Sequence, residues 1–436
     1  MNTINTYNKI KSILPQTVEW INVLCAIYLV ATLILPFDYQ RPALYIYFIS
    51  IGLDIIVNKR YTNVKWDKTK WTFVAMILFY LCIWIWHPFE ETNLPYFQIT
   101  AEKRIGLLIM GLLGLFTNIN PKLKPQHLAI PIMSTGIIIL LYILYQIDFK
   151  LSTFDSFQAY QLAIANYRSQ IMHISHMNFN LYMNCGFIFG FYGITQSDKL
   201  RRLDAIYCVS TTLFMVLSAL TIITSEGRIG IFTTLIIICI LAYYYTYKKS
   251  KYLLIPFIII SIFVTHLIFT TNYRAKDFQN SQNPRLYIWS EAIEMIKEKP
   301  ILGYGISDGR STLVDKLFEN ESLNTEFLIP WFIDFPNYDK YSLHAHNIFL
   351  ESTIEFGIIG LILISCILFL PIILTKRKQQ LLLFLFILIF TLQGLTESYG
   401  SHLSIFVLSW FLYILILSPT SKTNNESENK QVTNNI

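Results

Sequence analysis

Charged residues are scarce in this chain of 436 residues, at 14% against about 25% in ordinary soluble proteins. Hydrophobic residues make up 54%, above the roughly 45–50% that is usual. This balance argues against a soluble globular enzyme. Because a helix needs about 20 mostly apolar residues to cross a bilayer, the hydrophobic residues suffice for roughly a dozen spans. The composition therefore predicts a polytopic membrane protein.

Closely spaced cysteines are also missing. All six cysteines lie singly inside apolar runs, which indicates buried thiols and argues against a disulfide framework or a zinc site. A nucleotide-binding loop is missing too, because the glycines between Gly303 and Gly309 follow no strand and lack the required spacing, so we interpret them as turn formers. The net charge of +6 gives little reason to expect a nucleic-acid partner.

Apolar runs long enough to span a bilayer occur twelve times. If the N-terminus is cytoplasmic, the cytoplasmic segments carry twenty Lys and Arg residues and the short outside segments carry six. Because cytoplasmic loops are enriched in Lys and Arg, this distribution predicts that both termini lie in the cytoplasm. The predicted spans are 17–36, 41–58, 71–87, 104–119, 128–147, 177–194, 203–224, 228–247, 252–270, 346–374, 380–397 and 400–418.

The predicted organisation is an all-α integral membrane protein with one large periplasmic loop. Residues 1–270 hold spans one to nine, residues 271–345 form the loop, and residues 346–418 hold the last three spans. Residues 419–436 have few apolar side chains to bury, which predicts a disordered cytoplasmic tail. The loop far exceeds the roughly 2–8 residues that usually join helices, and long loops usually carry function.

The strongest local pattern begins where the loop meets the tenth span. His346 and Asn347 open this span, and Gly357 and Gly360 lie further along it, where they permit close helix packing. A histidine at the boundary between water and lipid titrates near neutral pH, so His346 is suited to take a proton from a hydroxyl group. The alternative is an interfacial histidine beside a polar helix cap. His344 and His346 together would need further ligands to hold a metal.

A second pattern lies inside the loop. Asn283 and Pro284 suit the start of a helix, and apolar residues repeat at helical spacing from Leu286 until Pro300 ends the pattern. Arg285 falls in the first turn, where free backbone N–H groups and the helix dipole attract anions. The alternative is that Arg285 is a solvated surface residue.

Two more ionisable residues adjoin apolar runs. Arg228 follows a tight outside hairpin, so its charge either reaches the lipid headgroups or faces a polar cavity, and Glu226 in the same hairpin partly neutralises it. Glu397 lies at the end of a span and either touches substrate or pairs with an arginine.

The motif His, Asn, nine residues, Gly, two residues, Gly, at His346, Asn347, Gly357 and Gly360, resembles the signature of the O-antigen ligase and O-antigen polymerase superfamily. Members of this superfamily usually have about twelve spans and a large periplasmic loop before the motif. The organisation predicted for this chain is similar along nearly its whole length.

Two arginine sites extend this resemblance. The order Arg, three residues, Trp and a Pro-x-x-Gly-x-Gly turn within residues 285–305 is similar to the superfamily's loop. The hairpin at Arg228 resembles its other arginine site, although Glu226 replaces the usual small residue.

The resemblance implies a GT-C-like glycosyltransferase of the bacterial inner membrane that works without a metal or a cofactor. It implies transfer, with inversion, of a glycan from undecaprenyl diphosphate to a sugar hydroxyl of lipid A core at the periplasmic face. The implied site has His346 as catalytic base and Arg228 and Arg285 on the diphosphate. From their positions, His344, Asn347 and Glu397 are assigned supporting or substrate-binding roles.

Three other activities fit the same sequence patterns. A polymerase of O-antigen or capsule repeat units, or a relative that glycosylates proteins, would use the same donor with another acceptor. A lipid-linked oligosaccharide flippase is the alternative of another class. It predicts polar residues near the midplane of many helices, whereas the candidates here cluster at the predicted outer face.

Overall fold

The computed structural model of the chain is built of helices, and the residues that it describes contain no strand. The composition predicts this all-α fold, which is therefore confirmed for the described parts of the chain. These parts are residues 2–62, 64, 66–85, 94–118, 120–147, 157–174, 176–196, 202–223, 228–249, 259, 284–319, 344–374, 377–396, 406–411 and 413.

The helices are numbered here in chain order. A π-helical turn follows α6, and residues 406–411 are also helical. The helices are α1 Asn2–Thr32, α2 Phe37–Val57, α3 Trp71–Ile85, α4 Leu94–Phe116, α5 Pro125–Gln146, α6 Phe157–Asn166, α7 His176–Gln196, α8 Arg202–Ile223, α9 Arg228–Lys249, α10 Pro284–Glu298, α11 Ile306–Glu319, α12 Ile348–Leu374 and α13 Arg377–Gly394.

Five stretches among the described residues are long and apolar enough to cross a membrane, and each matches a predicted span. Large apolar side chains stay exposed along them: Ile56 is 71% exposed, Ile138 64% and Ile373 74%. Such surfaces suit lipid rather than water, so the chain is a multi-pass membrane protein. The five stretches are Ile13–Thr32, Asp38–Val57, Lys68–Ile85, His127–Gln146 and Ile348–Leu374.

The other predicted spans are only partly covered. Shorter apolar stretches lie within α8, α9 and α13, and α7 contains the predicted span 177–194. The predicted span 252–270, except residue 259, lies outside the described residues, as do most of 400–418 and the whole tail 419–436. The total of twelve spans and the cytoplasmic side of the termini therefore stay predictions.

Helix α4 differs from the predicted span 104–119. It begins at Leu94, so Glu102, Lys103 and Arg104 lie inside the helix rather than before it. Arg104 is only 1% exposed, and its guanidinium pairs with Glu355 of α12. A carboxylate partner inside the protein offsets the cost of placing a charge among apolar helices.

The helices share two apolar cores. In the larger core, α1 packs on α2, α3 on α4, α5 on α7, and α12 on α3. The smaller core joins α10 and α11 to the chain around the start of α12, through residues such as Met295, Leu317, Ala345 and Ile354. The helix predicted after Pro284 is confirmed by α10, whereas α11 has no counterpart among the sequence predictions. Both helices are anchored where the histidine motif begins.

Candidate active site

Helix α12 is broken at Gly357, and the turn between α10 and α11 docks into the break. Gly357 has φ +61° and ψ −152°, which lies outside helical geometry. Backbone hydrogen bonds cross the junction in both directions, so the two sequence motifs form one unit. These bonds run from the Tyr304 N–H to the Ile354 carbonyl (2.8 Å), from the Gly305 N–H to the Glu355 carbonyl (2.9 Å) and from the Ile358 N–H to the Pro300 carbonyl (2.9 Å).

Glycine is required on both sides of this junction. A Cβ atom on Gly357 would lie 2.1 Å from the carbonyl oxygen of Ile301, and one on Gly303 would lie 2.5 Å from the carbonyl oxygen of Ile354. Both glycines also have positive φ, a conformation that disfavours other residues. The turn-forming role predicted for Gly303 is consistent with this geometry.

The contacts of Gly357 and Gly360 differ from the helix packing that the sequence predicts. At Gly357 the neighbour is the loop backbone. At Gly360 the nearest atom to an added Cβ would be the carbonyl oxygen of Ser352 in the same helix, at 2.1 Å. The difference arises because α12 bends here, which a regular helical pattern does not reveal.

Asn347 caps helix α12. Its side-chain oxygen accepts hydrogen bonds from the N–H groups of Phe349 (2.9 Å) and Leu350 (3.2 Å). Its side-chain amide donates to the carbonyl of Leu395 (3.4 Å). These bonds satisfy groups that a helix start leaves without intrahelical partners, so Asn347 supports the backbone directly after His346.

Asn347→Ala is expected to destabilise the protein by about 0.5–2 kcal/mol, because it removes the acceptor for two N–H groups. Asn347→Asp keeps an acceptor of the same size at the positive end of the helix dipole and is expected to retain most of the stability. Thermal unfolding in detergent measures both variants. Equal losses in the two variants would argue against the capping role.

His346 precedes this cap in a left-handed conformation, with φ +48°. Such a conformation costs a residue with a side chain about 1–3 kcal/mol and persists only where the surroundings impose it. The ring centroids of His346 and His344 are 4.1 Å apart, and the His346 N–H donates to Nδ1 of His344 (3.3 Å). The two histidines named from the sequence are therefore in contact at the start of α12.

Ala345, between the histidines, is held from two sides. The indole N–H of Trp289 donates to the Ala345 carbonyl (2.9 Å), and the Ala345 N–H donates to the Glu351 carboxylate (2.7 Å). Trp289 belongs to α10 and Glu351 to α12. Helices α10 and α12 thus fix the same residue next to His346.

Glu351 also pairs with Arg310 of α11. The Arg310 Nε atom lies 2.7 Å from the Glu351 carboxylate, and both side chains are nearly fully buried. The guanidinium lies 5.3 Å from the ring centroid of Tyr96 in α4. Burial opposes the charge on Arg310, but Glu351, Tyr96 and Glu355 together raise its pKa above the ordinary value. The charged pair therefore ties α11 to α12.

A second buried pair lies one helical turn further along α12. Arg104 of α4 donates two parallel hydrogen bonds to the Glu355 carboxylate, at 2.8 and 2.9 Å. Each side chain is 1% exposed. Carboxylates on successive turns of α12 are thus matched by arginines from two other helices. Breaking such a buried pair by removing one partner costs about 3–5 kcal/mol.

A more exposed cluster joins the end of α10 to α11. The Glu298 carboxylate accepts hydrogen bonds from the Lys316 ammonium and the Tyr304 hydroxyl, which lower the pKa of Glu298. Burial, together with the Glu298 carboxylate, raises the pKa of Tyr304. Because the folded pKa of Glu298 is depressed, its contribution is present above the unfolded pKa and is lost as the pH falls through the folded pKa. The cluster therefore supports the turn at neutral pH.

Arg285 lies in the first turn of α10 and is half-buried. Trp289, four residues later, contacts Ala345. Residues four apart on a helix are neighbours, so Arg285 lies one turn away from the contact that reaches the histidine segment. The structure thus brings the helix of Arg285 to His346.

The structure does not describe the side chains of two other predicted site residues. Arg228 begins α9, but its side chain lies outside the described residues, and Glu397 lies outside them altogether. Within the described parts of the chain, no group of three or more His, Cys, Asp or Glu side chains is arranged to hold a metal ion.

Four charged residues that surround the junction are not indicated by the sequence motifs. Glu351 and Glu355 are four residues apart in an apolar helix, a spacing that indicates a shared face turned toward the protein interior. Their partners give no such signal, because Arg310 is 41 residues from Glu351 and Arg104 is 251 residues from Glu355.

Most of this site lies in a segment that matches a known protein family. A family model described as O-antigen ligase matches residues 213–365, about a third of the chain. A candidate polysaccharide ligase of Rickettsia conorii is 38% identical over 91 residues, which are 21% of this chain and 20% of that protein. The exopolysaccharide production protein ExoQ of Rhizobium meliloti is 34% identical over 84 residues, which are 19% of this chain and 17% of that protein. The chain thus spans about a fifth of the length of these curated relatives. Through residues 213–365, the chain resembles the O-antigen ligase superfamily.

Proposed function

We propose that the protein is a membrane glycosyltransferase of the O-antigen ligase type. It transfers a glycan from undecaprenyl diphosphate to a sugar hydroxyl of lipid A core at the periplasmic face of the bacterial inner membrane, with both termini in the cytoplasm. His346 takes the hydroxyl proton, the hydroxyl oxygen attacks the anomeric carbon with inversion, and the diphosphate leaves. The lipid-linked donor stores the energy of the reaction, so the transfer uses neither a metal nor a nucleotide.

The setting of His346 is the observation that carries this proposal. Its imidazole stands beside His344 at the start of a membrane helix, in a strained backbone conformation. The loop helix α10 and the Arg310–Glu351 pair hold the residue before it. A general base must be fixed within hydrogen-bond reach of its proton, and a rigid setting of this kind favours catalysis.

The diphosphate is assigned to Arg285 and Arg228. Guanidinium groups bind phosphate oxygens through charge-assisted, often bidentate hydrogen bonds, and their charge stabilises the leaving diphosphate. Arg285 is supported by its place at the N-terminal turn of α10, one turn before Trp289. Arg228 is supported by the motif alone, and Glu397 and His344 are kept as supporting residues.

A repeat-unit polymerase is the second candidate. It would use the same base and the same donor, but its acceptor would be another lipid-linked glycan. The similarity to an exopolysaccharide production protein favours this second candidate over a relative that glycosylates proteins.

A reconstituted assay tests the proposal. The purified protein in liposomes is given a synthetic undecaprenyl-diphosphate oligosaccharide and lipid A core, and the products are analysed by mass spectrometry. Glycan attached to lipid A core is expected for a ligase, whereas a lengthened lipid-linked glycan indicates a polymerase. Transbilayer movement of the donor without any covalent product would contradict both and indicate a flippase.

Arg285→Lys is expected to raise the donor KM about 10- to 100-fold, because a point charge replaces a bidentate donor in phosphate recognition. The matched control is Arg41→Lys in α2, where an exposed arginine is replaced by the same residue. Initial rates at varied donor concentration measure both variants. A donor KM unchanged by Arg285→Lys would remove Arg285 from the diphosphate site.

A further inference from the structure

We infer that Trp289 and Glu351 are positioning residues for His346, which hold the backbone of Ala345 so that the imidazole is fixed in one orientation. The inference rests on the proposed role of His346 as the base. It deepens that role, because it identifies the groups that keep the base in place and shows which helix links the base to the donor.

The backbone of His346 requires an external constraint. With φ +48°, the residue is in a region that side chains rarely adopt, and such conformations persist where the surrounding structure over-determines them. The Asn347 cap lies after His346, and the bond from the His346 N–H to Nδ1 of His344 stays within the same short segment. The constraint must therefore come from the contacts before the cap.

Those contacts fix three consecutive residues. On one side, the Ala345 carbonyl accepts from the Trp289 indole, and the Ala345 N–H donates to Glu351. The Ala345 carbonyl and the His346 N–H belong to the same planar peptide group. The hydrogen bond from Trp289 therefore also fixes the orientation of the peptide plane that precedes the Cα atom of His346. On the other side, the Asn347 cap fixes the first turn of α12.

The two contacts come from elements distant in sequence. Trp289 is 56 residues from Ala345 and reaches it only because α10 docks on α12. Glu351 is oriented in turn by Arg310 of α11. The conformation of His346 therefore depends on both loop helices being docked at the Gly357 junction.

Helix α10 then links the donor to the base. Arg285, the proposed diphosphate ligand, and Trp289 lie one turn apart on this helix. Because a helical turn is rigid, the distance between the diphosphate and the imidazole is set by α10. A displacement of about 1 Å between reacting groups costs up to roughly 100-fold in rate, so this link has a measurable effect on catalysis.

Trp289→Phe tests the inference, because it removes the indole N–H and keeps an aromatic ring. The variant is expected to lower kcat for glycan transfer about 10- to 100-fold while the donor KM stays within about twofold. The matched control is Trp410→Phe. The Trp410 indole N–H is buried and has no hydrogen-bond partner among the described residues, so its removal is expected to leave kcat unchanged.

A second readout needs no glycan. Diethyl pyrocarbonate modifies accessible imidazoles, and peptide mass spectrometry gives the modification of His346 relative to the exposed His173 in the same sample. Trp289→Phe is expected to raise this ratio, because an imidazole released from its fixed orientation reacts faster. Glu351→Ala is expected to raise it as well, and Glu351→Gln, which keeps an oxygen acceptor for the Ala345 N–H, is expected to raise it less.

The outcomes separate this inference from the proposed function. An unchanged modification ratio in Trp289→Phe overturns the inference, whether or not kcat falls, and Trp289→Phe decides alone if the Glu351 variants do not fold. A raised ratio supports the positioning role even if the wild-type protein transfers no glycan. In that case, it is the proposed function that fails.

Discussion

His346→Ala is expected to lower kcat for glycan transfer about 100- to 10,000-fold while the protein remains folded in the membrane, because positioned proton transfer contributes a factor of this size. Without the imidazole, the acceptor hydroxyl must attack while it still holds its proton. The two arginines assigned to the diphosphate are unchanged, so donor binding is expected to persist. Single-turnover transfer and separate donor-binding measurements distinguish these two effects.

The controls for His346→Ala address its unusual backbone. His346→Asn also removes the imidazole, but asparagine tolerates the left-handed conformation, so it is expected to lose activity with a smaller effect on folding. His173→Ala replaces another histidine with positive φ, +53°, at an exposed position before α7. It carries the same kind of backbone penalty and is expected to keep activity. Normal transfer by His346→Asn would remove the assignment of His346 as base.

The parts of the fold that follow from local patterns were predictable from the sequence. Apolar runs indicate membrane helices because each span must satisfy its own backbone hydrogen bonds within lipid. The helix after Pro284 was also predictable, since its start, its apolar spacing and its end at Pro300 are all local signals. In contrast, α4 begins at Leu94, before a cluster of charges, and the sequence does not show that Glu355 neutralises Arg104.

The candidate site shows the same division. The motif containing His346 and Asn347 and the turn containing Gly303 were each visible in the sequence. Their contact was not, because backbone hydrogen bonds between segments some fifty residues apart leave no periodic pattern. The sequence also does not show that a glycine inside an apolar run has positive φ, since a glycine there is equally suited to close helix packing. Gly357 is therefore the position at which sequence reasoning and structure differ most.

Gly357→Ala is expected to destabilise the junction by more than about 4 kcal/mol, because backbone strain and steric overlap act together. The added Cβ would lie 2.1 Å from the carbonyl oxygen of Ile301 and 2.6 Å from the nitrogen of Leu302, both backbone atoms that cannot rotate away. The positive φ adds strain even if the loop moves. Thermal unfolding in detergent and proteolysis of the loop measure the effect.

The control for Gly357→Ala is Gly52→Ala in α2, where an added Cβ would have no neighbour within 4 Å. Alanine is preferred over glycine in a helix by about 1 kcal/mol, so this variant is expected to be neutral or slightly more stable. Gly357→Ala is also expected to raise the reactivity of His346 toward diethyl pyrocarbonate, because an undocked turn no longer holds α10, and hence Trp289, against Ala345. If Gly357→Ala loses activity while the loop resists proteolysis and the reactivity of His346 is unchanged, the proposed dependence of His346 on the junction is contradicted. Lost activity together with cleavage of the loop and a more reactive His346 would support this dependence. The orientation of the base would then depend on the junction at Gly357, about one-third of the way along α12, and not on the histidine alone.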